Sequence, residues 1–141
     1  MKSCYMESSA LLAWLGGEPT SAKVATAMNK AQRICTSRLT FIECDRCLLR
    51  AEALGLMNRA ELHKRQGWLG ILEAEWEVME VSQEVQKGAR TRFPIEPVRS
   101  LDAIHLASAL QFQIVYHDLG ILSFDARILQ NLVPLGLKSW D

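Results

Sequence analysis

From one end of the chain to the other, short apolar runs alternate with longer amphipathic ones, and this rhythm constrains the fold more than any other property. Lys2–Met6, Arg33–Thr36, Trp76–Val81, Ile121–Phe124 and Leu137–Trp140 read as strands. Helices fill the intervals. Ala10–Leu15 stops at Gly16-Gly17, and a second helix, capped by Thr20 or Ser21, runs to Ala31. A third opens at Ser37 or Thr40 and ends near Gly55, and Asn58 caps a fourth over Arg59–Glu73. Gln83–Arg92, Leu101–Phe112 (started by Ser100) and Ala126–Leu132 complete the set. In Phe93-Pro94-Ile95-Glu96-Pro97 each proline pushes its predecessor out of the helical region, so that stretch is expected to be extended. Gln113–Gly120 fits either a helix end or a strand. Strands alternating with helices predict an α/β fold, with a mainly parallel sheet covered on both faces. No Gly-, Ser- or Pro-rich linker interrupts the pattern, so residues 1–141 read as a single domain.

Composition removes several function classes. Sixteen basic residues balance sixteen acidic ones, which excludes a polyanion-wrapping protein that works by bulk charge. The best membrane-span candidate, Ala103–Tyr116, is shorter than the ~20 residues required and is broken by His105, Ser108, Gln111 and Gln113. Glu7 sits where a signal peptide needs its apolar core, so the expected location is the cytoplasm. Reducing conditions there disfavour disulfides among Cys4, Cys35, Cys44 and Cys47. Cys44 and Cys47 have a zinc-like spacing, but no second ligand pair follows, and buried packing is the better reading.

Chemistry is concentrated in acids placed where strands give way to helices. Glu7 follows the first strand, Asp125 follows the fourth, Asp102 lies in the first turn after Ser100, and Glu43 lies early in the third helix. The carboxyl ends of parallel strands share one edge, where α/β proteins bind ligands. Singly, three of the acids have structural explanations. Asp125 suits an N-cap, Asp102 complements a helix dipole, and Thr40-Phe41-Ile42-Glu43 fits a capping box; Glu7, a poor capping residue, has none. Gathered at about 5 Å with an effective dielectric near 20, each pair costs roughly 3 kcal/mol, so such a cluster needs raised pKa values or a cation. All-oxygen donors favour Mg²⁺ or Mn²⁺, and that chemistry suits phosphodiester hydrolysis.

Four blocks carry a resemblance: Tyr5–Leu12, Thr36–Glu43, Leu101–Ala107 and Leu122–Arg127. In this order they resemble the motif regions of the PIN-domain family, and in particular its VapC-type toxin ribonucleases. The likeness implies a three-layer α/β/α fold around a five-stranded parallel sheet. It also implies a Mg²⁺- or Mn²⁺-dependent endoribonuclease, the toxin of a type II toxin–antitoxin pair. The catalytic acids would be Glu7, Glu43, Asp102 and Asp125, with Glu7, Asp102 and Asp125 on the metal, Glu43 as a further ligand or water-orienting group, and Ser9 and Ser123 in support. Expected partners are RNA, a VapB-type antitoxin and a second copy of the chain. Apolar residues on the second to fourth helices also point to a homodimer.

The family's first acid is nearly always Asp. Glu7 is one methylene longer, which supports an alternative reading: a catalytically weak or inactive PIN-like module that binds RNA or protein. A phosphoryl-accepting receiver is a poorer fit, since neither Glu7-Ser8 nor the C-terminal sequence supplies its expected residues. Arg38 and Arg46 (with Arg50), and Arg90, Arg92 and Arg99 around the proline loop, are candidates for RNA contact, with a solvated face as the plain alternative. His105 reads as a packed, hydrogen-bonded residue. Trp14 and Trp76 read as core, Trp68 and Trp140 as interface.

Overall fold

A computed structural model describes the whole chain, Met1–Asp141. Five strands form one parallel sheet: β1 (Ser3–Met6), β2 (Arg33–Ser37), β3 (Glu77–Met79), β4 (Leu119–Leu122) and β5 (Lys138–Ser139). Their order across the sheet is β3-β2-β1-β4-β5. The helices are α1 (Ser8–Leu15), α2 (Ser21–Lys30), α3 (Arg38–Ala53), α4 (Arg59–Glu75), α5 (Gln83–Ala89), α6 (Ser100–Val115) and α7 (Ala126–Leu132). A 3₁₀ turn, Val133–Leu135, precedes β5.

β1 lies in the middle and is buried on both faces, as a central parallel strand must be. Its side chains alternate between two cores. Cys4 and Met6 join Leu11, Val24, Phe41, Cys44, Leu62 and Leu69 under α1 to α4. Tyr5 joins Ala103, Leu106, Phe112, Ile128 and Leu132 under α6 and α7. The three-layer α/β/α arrangement follows from that alternation.

Several boundaries differ from the sequence reading. α1 begins at Ser8, two residues before Ala10, because the Glu7 carboxylate itself caps it by accepting from Ser9 N (3.1 Å). The inference that Glu is too poor a cap is therefore wrong here. β4 ends at Leu122 rather than Phe124. The amides beyond it go to hydroxyls instead of the ladder: Phe124 N donates to Ser9 Oγ (2.9 Å) and Asp125 N to Ser123 Oγ (3.0 Å). The ambiguous segment 113–120 divides between the last turn of α6, which reaches Val115, and the start of β4. β3 and β5 are shorter than expected, as suits the sheet's edges.

The proline loop is bent, not straight. Glu96 Oε2 and Oε1 accept from Phe93 N (2.9 Å) and Val98 N (2.6 Å), folding the segment around one carboxylate. The Thr40–Glu43 capping box does not form. Ser37 caps α3 through Leu39 N (3.1 Å), and Thr40 is buried with its hydroxyl hydrogen-bonded to Thr36 (2.7 Å). Arg99, not Ser100, is the N-cap of α6. Trp140 is buried, and Cys47, unlike the other three cysteines, is exposed. At Gly120 a Cβ would meet Trp140 Cα at 3.1 Å, so glycine lets the C-terminal segment close on β4.

Candidate active site

β1 and β4 are neighbours in space but far apart in sequence, and the connections after them leave in different directions; ligands bind at such a crevice. Glu7 leaves β1 here, and Ser123 and Asp125 leave β4. Glu7, Glu43, Asp102 and Asp125 all line one open cleft at this edge, together with Ser8, Ser9, Arg99 and Ser100. Folding thus brings all four sequence-predicted acids together.

Their environments are unequal. Glu7 is 3% exposed, and its carboxylate is a hub of donors. Oε1 accepts from Ser8 Oγ (2.8 Å), while Oε2 accepts from Ser9 N (3.1 Å), Ser9 Oγ and Ser123 Oγ (2.7 Å). Ser9 and Ser123 therefore meet on this acid, and they tie the end of β1 to the end of β4. Ser8 is a third hydroxyl that the sequence reading left out; adjacency in sequence was its only signal.

Asp102 is different. It lies in the first turn of α6 and is 6% exposed, yet Oδ2 has no hydrogen-bond partner. The nearest cation is Arg99, with Nε at 3.6 Å, longer than a hydrogen bond. Burial, and next the charge of Asp125, push the Asp102 carboxyl above its usual range, against the opposing pull of Arg99. Asp125 caps α7 through Arg127 N (2.8 Å to Oδ1), so its structural role is real and coexists with a place in the cleft.

A buried carboxylate oxygen without a partner, beside a second acid, matches a hard divalent cation that keeps most of its waters and takes one or two carboxylates. Asp102 and Asp125 fit that requirement. The Glu7 carboxylate is held by Ser8, Ser9 and Ser123, with one hydrogen bond on Oε1 and the others on Oε2, and no three His, Cys, Asp or Glu side chains come close enough together to hold a metal ion.

Glu43 projects from α3 and accepts, through Oε1, from His105 Nε2 (2.7 Å). His105 is buried, and its Nδ1 is 2.8 Å from the Tyr5 hydroxyl. Among the arginines, only Arg99 lines the cleft. Arg38 is occupied by Glu73 and Glu80, and Arg46 and Arg50 line a separate pocket on α3 with Cys47.

The sequence profile of the PIN domain matches residues 4–132. The chain belongs to the PIN-domain family. Solved structures agree on the fold. VapC20 of Mycobacterium tuberculosis, a sarcin–ricin-loop-cleaving toxin, superposes with a TM-score of 0.65 at 15% identity, over 90% of this chain and 93% of that one. VapBC2 of Rickettsia felis, bound to a DNA fragment of its promoter, gives 0.65 at 12% identity over 99% of both chains. A toxin–antitoxin complex from Klebsiella pneumoniae gives 0.58 at 14% identity over 86% of both. No curated protein matches the chain by sequence. This PIN domain therefore keeps the family's fold and gathers four acids at one edge, with glutamate as the first.

Proposed function

We propose that this PIN domain is a Mg²⁺- or Mn²⁺-dependent endoribonuclease and the toxin of a toxin–antitoxin pair. The observation that carries the reading is the unpartnered, buried Oδ2 of Asp102 beside Asp125, in a cleft that Glu7 and Glu43 also line. Asp102 and Asp125 would hold the metal, and Glu7, fixed by three hydroxyls, braces both strand ends beside them. A bound divalent ion would supply Lewis-acid chemistry there, lowering the pKa of a coordinated water and offsetting charge on the phosphate. Glu43 orients the attacking water from the α3 side, and Arg99 takes a neighbouring RNA phosphate as the cleft's one basic side chain. A VapB-type antitoxin and a second copy of the chain are its protein partners. The fold and the exposed apolar residues of α3 and α4 support that part.

One observation favours the alternative, a PIN-like module that binds RNA without cutting it: the Glu7 carboxylate is already occupied by protein donors. The two readings part in one experiment. Purified protein with mixed-sequence RNA and Mg²⁺ or Mn²⁺ is expected to cleave it, EDTA to stop cleavage, and Asp102→Asn to lower the rate by more than roughly 100-fold. Expression without a partner is expected to arrest growth, and Asp102→Asn to be harmless. RNA bound but left intact under both metals overturns the nuclease.

A further inference from the structure

His105 has no part in the scheme above, although it is among the most deeply buried polar residues, at 2% exposure. Its ring links three elements that meet behind the cleft. Tyr5 comes from β1 and reaches Nδ1 with its hydroxyl at 2.8 Å. Glu43 comes from α3 and meets Nε2 at 2.7 Å. His105 itself is on α6, one turn beyond Asp102.

The carboxylate fixes one direction: it only accepts, so Nε2 carries the hydrogen that Glu43 takes. With the ring neutral, Nδ1 then accepts from the Tyr5 hydroxyl. Other acceptors near Nε2 are farther away: Ser8 Oγ at 3.4 Å and Glu7 Oε1 at 4.0 Å. Ser8 Oγ is in any case committed to Glu7 Oε1. The Nε2 hydrogen therefore belongs to Glu43.

The rest of the Glu43 side chain has nothing else to hold it. It makes no other hydrogen bond or ion pair and is 22% exposed at the cleft wall. A glutamate carries three rotatable bonds, and untethered at a wet surface it samples many orientations. One charge-assisted bond to a buried, doubly anchored ring removes that freedom at one oxygen and leaves the other for the cleft.

The geometry points to His105 as the positioning residue for Glu43. It fixes the water-orienting carboxylate with respect to Asp102, because α6 carries both Asp102 and the ring that aims Glu43. The inference rests on the nuclease reading proposed above and names a residue that acts through Glu43 rather than on substrate. A ring that only fills space beside Tyr5 would matter for stability alone.

The test is a double-mutant cycle with a spectroscopic arm. RNA cleavage is measured for wild type, His105→Leu, His105→Gln, Glu43→Gln and the His105→Leu/Glu43→Gln double variant, each normalised to folded protein. Positioning predicts that His105→Leu lowers kcat by about 10- to 100-fold with little change in KM. In the Glu43→Gln background the same change should cost less than about twofold, since the group being aimed is already gone. His105→Gln, whose amide can donate near the Nε2 position, should recover much of the loss. The second readout needs neither metal nor RNA. The His105 imidazole N–H of the free protein should give a downfield proton resonance that moves upfield in Glu43→Ala, a substitution at the cleft wall rather than in the core. Equal losses from His105→Leu in both backgrounds, no recovery by His105→Gln, or an N–H signal indifferent to Glu43→Ala overturns the positioning role while leaving the nuclease in place. A wild type that shows the N–H shift but cleaves no RNA overturns the nuclease, and with it the water-positioning role of His105.

Discussion

Glu7, directly after β1, and Asp102, in the first turn of α6, show how two buried carboxylates lining one cleft acquire opposite characters. Glu7 is surrounded by hydroxyl and amide donors, whereas Asp102 Oδ2 is desolvated with no donor at all. An unsatisfied buried charged oxygen costs on the order of 1–3 kcal/mol. Asp102→Asn is therefore expected to raise the melting temperature of metal-free protein by about 2–6 °C at neutral pH, followed by circular dichroism. The pH dependence has a definite sign. The folded-state pKa of Asp102 lies above its unfolded value, so the ionised group penalises folding fully above the folded value, and the penalty fades as pH falls. The advantage of Asp102→Asn should accordingly shrink as pH falls through the raised folded-state value and vanish below the unfolded one, where the group is protonated in both states. Divalent ions should stabilise wild type and not the variant, by the mass-action term for a ligand of the folded state. If Asp102 served only to complement the α6 dipole from its first turn, the substitution would instead destabilise the protein at neutral pH.

Among the elements, the bent segment between α5 and α6 determines where Arg99 and Asp102 stand. Its bend has two anchors: Glu96, which holds the amides on either side, and Asn131 of α7. Asn131 is fully buried; Oδ1 accepts from Ile95 N (2.9 Å), and Nδ2 donates to Ile95 O and Arg127 O (3.0 Å each). Two prolines within five residues spelled an extended strip, because the rule for residues before proline is local. The bend depends on a residue more than thirty positions away. Asn131→Ala leaves the Ile95 backbone groups unpaired and is expected to cost about 2–3 kcal/mol in urea unfolding. It should also make the 93–99 segment the first site of limited proteolysis, because the loop loses its tie to α7 before the sheet is affected. Cleavage elsewhere, with no loss of stability, would show that Glu96 alone holds the bend.

On the scale of the molecule, α3, α4 and the turn between them carry the exposed apolar residues Ile42, Leu54, Leu56 and Ile71, while Leu101, Ile114, Val115, Leu129 and Val133 are exposed on α6, α7 and the turn after it, and α2 has none. We expect the residues of α3, α4 and their turn to pair two copies. Sedimentation equilibrium at micromolar concentration should give twice the chain mass, and Leu54→Glu with Leu56→Glu should return it to a monomer that still folds. A monomeric wild type would remove the homodimer. No helix is long and apolar enough to cross a membrane.

The sequence alone determined the alternation of strands and helices, the three layers, and the placement of acids at strand ends. Those follow from local periodicity and from the geometry of parallel strands, which share a carboxyl edge whatever packs around them. Asn58 as a cap, Ser37 as one of two candidate caps for α3, and the burial of Cys44 were legible for the same reason, whereas Cys47, read as buried with it, is exposed. Other features were not. That Glu7 is gripped by Ser8, Ser9 and Ser123 while Asp102 is left bare, that Tyr5 and Glu43 meet on His105, and that Arg38 is spent on Glu73 and Glu80 are contacts between residues 35 or more positions apart, Ser8 and Ser9 excepted. The sequence places each acid on its element. The pairing of β4 with β1 and the packing of α6 against the sheet and α7 decide which carboxylate finds donors, because a side chain's partners are set by what folding brings within 3 Å, and chain distance carries no record of that.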